Sequence, residues 1–270
     1  MSQTKNTLEV KKSNQLSPRP YSEPQGYFKS LPVSKDFPLL SYKDTFTGFA
    51  MNNTPDSRTI LYWRARALVG LKVALVAKIL GIPMPTNPKL AKGFVGQLAE
   101  IALGATAGAN PIQDFPELGV ELKTIPISPN GQPAENTHVC ILLDSLLRGQ
   151  QFATSNVLNK LNCVLWLPIE GDTNIPLAMR KFGMPFFWTM NEAERTQIQC
   201  DWEEIMEALV LGRNPAELSA LGKYLQLKPA GKRNNERQYG FYLRKKFTNT
   251  ILERFITGKL EAMHEQIMNS

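Results

Sequence analysis

Histidine is nearly absent from this chain of 270 residues, which has only His138 and His264, and cysteine is sparse, with Cys140, Cys163 and Cys200. Two histidines so far apart supply no local metal motif, and three cysteines without a CxxC pair encode neither a zinc knuckle nor a disulfide framework. Buried free thiols in a reducing compartment are the expected state. Long apolar runs are missing too. The most apolar stretch, residues 67–84, is interrupted by Lys72, Lys78, Gly70 and Gly81, which argues against a membrane span. The polar N-terminus lacks the apolar centre of a signal peptide, so a soluble, cytoplasmic protein is expected.

The charge that is present is unevenly distributed. The net charge of +7 and a pI near 9.3 favour a polyanionic partner without specifying one. Residues 222–246 hold Lys223, Lys228, Lys232, Arg233, Arg237, Arg244, Lys245 and Lys246 against Glu236 alone, an excess equal to that of the whole chain. Tyr224, Tyr239, Phe241 and Tyr242 interleave with them, the pattern expected of a phosphate-tracking surface with stacking or groove-reading side chains. Upstream, Glu192, Glu194, Asp201, Glu203, Glu204 and Glu207 lie on a predicted helix. They are expected to form a solvated face that avoids DNA.

Periodicity supplies an α/β reading. Residues 1–57 show no sustained period and are expected to be a flexible extension or docked arm, with residues 58–270 as the folded domain. Ser57 is a candidate N-cap, and Leu61, Ala65, Leu68, Leu71, Leu75, Val76 and Ile79 recur at helical spacing before Gly81. A helix over 89–103 gathers Phe94, Val95, Leu98, Ile101 and Ala102 on one side and turns Glu100 and Gly96 to the other. Strands are predicted at 120–127, 138–143 and 163–169, the first two joined as a hairpin by a turn at Pro129-Asn130-Gly131. A capped helix follows Asn191, and a last helix covers 250–268. A central mixed sheet with flanking helices results.

The chemistry sits beside the first strand. Alternation sends Glu121 and Lys123 to one face, and Pro116 and Gly119 favour a tight turn that folds Asp114 back beside Glu121. Two carboxylates and an ammonium in one spot suit Mg²⁺-assisted phosphodiester hydrolysis, the acids holding a hard cation and the lysine stabilising charge on the phosphate. The spacing alone also fits a plain strand with a surface ion pair.

The run Lys92-Gly-Phe-Val-Gly-Gln-Leu-Ala-Glu100-Ile-Ala-Leu-Gly and then Gln113-Asp-Phe-Pro-Glu-Leu-Gly-Val-Glu-Leu-Lys-Thr-Ile-Pro126 resembles the MutH family of DNA mismatch-repair endonucleases. Val164-Leu-Trp-Leu-Pro168, Tyr224-Leu-Gln226 and Phe241-Tyr-Leu-Arg-Lys-Lys-Phe-Thr248 extend the likeness over roughly residues 58–270. The resemblance implies a restriction-endonuclease-like fold with two lobes around a DNA cleft. It implies a monomeric Mg²⁺-dependent nickase that cuts the unmethylated strand at hemimethylated GATC sites, activated by MutL, itself recruited by MutS. On this likeness Asp114 and Glu121 are metal-binding acids, Lys123 the catalytic lysine and Glu100 an additional acid. Lys92 and Gly93 match a DNA-contacting loop and Lys160 a lysine near the cleft. Lys228 falls in the base-reading segment, Tyr242 in the strand that approaches the methylatable adenine, and Lys245 and Lys246 in the cationic tract.

Two positions depart from the family pattern. Lys228-Pro229 stands where Arg-Pro is expected, followed by a shorter connection to Phe241, and His138 stands where a Phe is expected. Lysine lacks arginine's planar fork, which weakens guanine readout there. The alternatives are a GATC restriction endonuclease that breaks both strands and a DNA-binding scaffold that has lost activity. Absence of an internal repeat disfavours the first, and retention of all four site residues the second.

Overall fold

In a computed structural model, the protein is described over residues 54–87, 91, 93–108, 110–142 and 149–257. The expected extension lies almost wholly outside the described residues, as do Lys92 and the end of the last predicted helix beyond residue 257. Helix α1 (Arg58–Ala67) starts where Ser57 Oγ accepts from Ile60 N at 3.3 Å, and α2 (Val73–Ile79) follows. Helix α3 (Phe94–Leu103) lies between Gly93 and Gly104, both left-handed at φ of 85° and 82°, a conformation glycine adopts without steric cost. Its buried face is Phe94, Leu98, Ala99, Ala102 and Leu103, whereas Ile101 is 51% exposed. The expected stripe is therefore rotated, because α1 and α2 both pack on the Ala99–Leu103 side and pull that side inward.

Strands β1 (Glu121–Ile127), β3 (Val164–Glu170) and β4 (Phe186–Trp188) form one sheet, with β1 parallel and β4 antiparallel to the central β3. Every residue of β3 is buried, as befits a strand covered on both faces. Strands β2 (Thr137–Ile141), β6 (Glu236–Leu243) and β5 (Leu225–Arg233) form a second, antiparallel sheet centred on β6. The predicted pairing of the first two strands as a hairpin is thus corrected. Gly131 does turn the chain at φ 79°, and Ser128 N donates to Gln132 O at 2.8 Å, but the ladder stops after one bridge between Ile127 and Pro133. The apolar β3 completes β1's hydrogen bonding in register with it, and β2 crosses to pair with β6.

The first sheet is sandwiched. One face, through Leu122, Leu165 and Leu167, packs on α1 to α3. The other, through Ile125, Ile127, Trp166 and Trp188, meets the second sheet together with helices α4 (Asn156–Leu161), α5 (Glu192–Val210) and α6 (Lys245–Ile256). Between the α3–β1 side and the β2–β6 side opens a cleft of about 680 Å³. This mixed α/β arrangement is the predicted class.

Helix α5 is capped reciprocally by Asn191 and Glu194, and Ile198, Trp202, Ile205 and Met206 are buried along one stripe. Its acidic face is not wholly solvated, contrary to expectation. Glu194 is buried against Arg254 of α6. Asp201 is 2% exposed and accepts from the amides of Lys223, Tyr224 and Leu225 at 2.6–2.8 Å. A carboxylate with that many charge-assisted bonds belongs to the interior. The last helix starts at Lys245 rather than 250, where Asn136 Oδ1 accepts from Lys245 N at 2.8 Å. Cys140 and Cys163 are buried as expected, but Cys200 is exposed.

Candidate functional site

The turn between Asp114 and Glu121 closes as the sequence requires. A single 3-10 turn, Pro116–Leu118, ends at Gly119 with φ 62°, and Phe115 and Val120 exchange backbone hydrogen bonds at 2.9 and 3.1 Å. Asp114 is thereby carried back so that its Oδ2 accepts from Leu122 N at 2.8 Å. On β1, Lys123 Nζ reaches Glu121 Oε1 at 2.5 Å, as period two predicts. Lys160, on α4, donates to both Glu121 oxygens at 3.0 and 2.8 Å and to Ile112 O at 2.8 Å. Glu121 is 1% exposed, so its charge is balanced by two ammoniums inside the protein.

Glu100 completes the cluster from α3. Burial, followed by the charges of Asp114 and Glu121, pushes its carboxyl above the usual range, against the pull of Lys123 and Lys160. Burial and Glu121 likewise raise Asp114, opposed by Lys123, by the Leu122 amide and by Lys160. Like charges crowded in a half-buried site call for a cation. Among the described residues the Glu100 carboxyl makes no hydrogen bond or ion pair, and of the two Asp114 carboxyl oxygens only Oδ2 accepts a hydrogen bond. No group of three or more His, Cys, Asp or Glu side chains among the described residues is placed to hold a metal ion. The donor set fits a hard cation held by two carboxylates, with the rest of its oxygen shell taken from water.

Glu100 and Lys123 line the cleft, together with Gly93, Gly96, His138 and Tyr242. A Cβ on Gly96 would stand 3.7 Å from Thr124 Oγ1, an ordinary contact, so α3 and β1 lie side by side there with room for a small side chain. The rings of His138 and Tyr242 meet edge to face with centroids 5.0 Å apart. Burial and then Glu135 raise the Tyr242 phenol above its ordinary pKa. The structure separates the remaining DNA-binding candidates. Lys228 lies half-buried on β5 opposite Gly240, and Lys245 and Lys246 are exposed on the first turn of α6. Lys160 is turned inward to Glu121 rather than outward.

The cationic tract folds as the β5–β6 hairpin, whose tight turn at Asn234 and Asn235 has φ of 50° and 66°. Its aromatics do not all face outward as predicted. Tyr224 stacks on Phe247 at 4.1 Å, Phe241 is buried, and Tyr239 packs on the core, leaving Tyr242 in the cleft. Arg244 is committed to structure, donating to the carbonyls of Ser219, Ala220, Leu221 and Gly222 and to Gln226 Oε1.

One residue escaped the sequence reading. Gln113, 7% exposed, donates from Nε2 to Gly119 O at 3.0 Å and to Asn159 O at 2.8 Å. It ties the acid-bearing turn to the helix that carries Lys160. Its position directly before Asp114 was the one available signal, and a glutamine's partner cannot be read from its neighbours.

Comparison with known proteins follows the same lines. The family model described as MutH, DNA mismatch repair enzyme MutH, matches residues 103–201. The chain is similar to the DNA mismatch repair protein MutH of Pectobacterium atrosepticum, 43% identical over 216 residues. It is 42% identical over 214 residues to that of Shigella boydii serotype 18 and 41% over 214 to that of Escherichia coli K12. Each comparison covers 74% of this chain and 93% of the relative.

Proposed function

Since this chain belongs to the MutH family of DNA mismatch repair enzymes, we propose that it is a Mg²⁺-dependent endonuclease that nicks the unmethylated strand of hemimethylated GATC sites. Its activator is MutL, recruited in turn by MutS, and residues 58–270 carry the activity. One observation carries this reading: Glu100, Asp114 and Glu121 converge with Lys123 and Lys160 beside a cleft large enough to admit part of a duplex backbone.

Asp114 and Glu121 would hold the ion, with Glu100 beside them. When bound, Mg²⁺ supplies positive charge to the phosphate and makes a water more acidic. Glu100 orients the attacking water. Lys123 presents its ammonium to the charge that grows on the phosphate oxygens as the P–O bond breaks. Lys160, held by three acceptors, keeps Glu121 in place. Gly93, Lys228, Tyr242, Lys245 and Lys246, with Lys92 outside the described residues, supply the grip on DNA. Tyr242, in the cleft wall, suits readout of the adenine methyl group.

Incubation of the protein with Mg²⁺ and supercoiled GATC plasmid, with and without MutL, tests the reading. Nicked circles from hemimethylated DNA, stimulated by MutL and absent from fully methylated DNA, are expected. Rapid linear product without MutL would refute it in favour of a restriction endonuclease. The one acid-acid-lysine set per chain favours single-strand cleavage.

A further inference from the structure

The cleft is not electrostatically uniform. Its charged lining among the described residues consists of Glu100, Glu135, Lys123 and Arg180. Lys123 is engaged by Glu121 at 2.5 Å, whereas Arg180 takes part in no ion pair among the described residues. Arg180 comes from the loop between β3 and β4, which bridges to Lys72 and to Ile169 of β3 and so belongs to the first-sheet side of the cleft. Among the described residues lining this space, a polyanion would meet two carboxylates and one cation outside any ion pair.

That cation is held ready. Arg180 N donates to Leu177 O at 3.2 Å, and its carbonyl accepts from Val73 N at 2.9 Å, which pins the loop to the start of α2. Gly70 N to Phe182 O at 2.8 Å and Phe182 N to Leu71 O at 3.0 Å hold the next residues. The side chain is anchored by Nε to Ile175 O at 3.1 Å, and its two terminal amino groups have no acceptor among the described residues. A guanidinium fixed at Nε with its terminal nitrogens free is a planar fork suited to phosphate oxygens, and little rotamer freedom remains to be lost on binding.

We propose that Arg180 is a phosphate contact on the first-sheet wall of the cleft, gripping the duplex from the side opposite the basic hairpin. The proposal rests on the DNA-cleaving function above and adds to it a contact outside the cationic tract. It would add a fixed cation to the wall that also carries Glu100, where the basic hairpin does not reach.

The test is the affinity of the full chain for a short GATC duplex without Mg²⁺, measured by fluorescence anisotropy over a range of KCl concentrations. Arg180→Ala should weaken binding about tenfold, the scale of one charge-assisted contact. It should also lower the slope of log Kd against log salt by about one. Arg180→Lys should keep the slope and recover part of the affinity, and both variants should melt within about 2 °C of the parent. If Arg180→Ala binds with the parent's affinity and slope, the contact does not exist. A fall in melting temperature with an unchanged slope would make Arg180 a loop brace only. Lost discrimination between GATC and scrambled duplexes at unchanged slope would overturn a phosphate contact in favour of a base contact. Should the parent protein itself bind no duplex, the DNA-cleaving function fails, and this inference with it.

Discussion

Two sets of cations in this protein behave in opposite ways. Lys123 and Lys160 have side chains only 14% and 12% exposed and share one buried carboxylate. Lys232, Arg233, Arg237, Lys245 and Lys246 are exposed on the hairpin and the first turn of α6, in none of the ion pairs among the described residues. Buried ammoniums must be compensated within the fold, since removing their counter-charge leaves an uncompensated ion in a poorly solvating site. Exposed ones keep their hydration and remain available to a polyanion at small cost. On the proposed function, the first set organises chemistry and the second supplies affinity. Arg244 shows that a basic tract is not homogeneous, because its guanidinium closes the loop before β5 instead of meeting a ligand.

Removing one of the acids beside the buried set should produce the largest effect and leave the exposed set's work intact. Asp114→Ala is expected to lower the nicking rate by on the order of 10³-fold with duplex affinity nearly unchanged, as read by plasmid relaxation and anisotropy. Normal cleavage by this variant would end the catalytic assignment. The next effect concerns the platform of the hairpin. Asp201→Ala strands the amides of Lys223, Tyr224 and Leu225 and should cost about 3 kcal/mol in denaturant unfolding. A loss below about 1 kcal/mol would mean that water replaces the carboxylate.

Gln113→Ala separates geometry from charge. With Gly119 and Asn159 no longer tied, turnover should fall roughly tenfold at unchanged KM for DNA, the usual signature of a lost positioning contact. A raised KM at unchanged turnover would instead place Gln113 in binding. The exposed set is sharpened by Lys245→Ala with Lys246→Ala, which should flatten the salt dependence of binding by about two and leave the thermal midpoint unmoved. An unaltered slope would remove this turn from the interface. The smallest effect is a labelling pattern. Burial pushes Cys140 up to about 12 and Cys163 up to about 11, so only the exposed Cys200 should react with a thiol reagent in the native protein, and all three after unfolding.

What the sequence determined alone was local. Alternation placed Glu121 and Lys123 on one face of β1, the Pro116 and Gly119 turn folded Asp114 back to it, and Ser57 and Asn191 marked the helix starts at which they cap. Each follows from backbone sterics and side-chain periods within a few residues. Tertiary structure decided the rest. Lys160 reaches Glu121 across 39 positions of sequence, β2 abandons its neighbour for β6, and the acids Glu194 and Asp201 turn inward. These outcomes depend on which distant group offers a buried charge or an open strand edge a partner. No local period encodes that choice, because the partner's position is set only when the two sheets and their helices pack together.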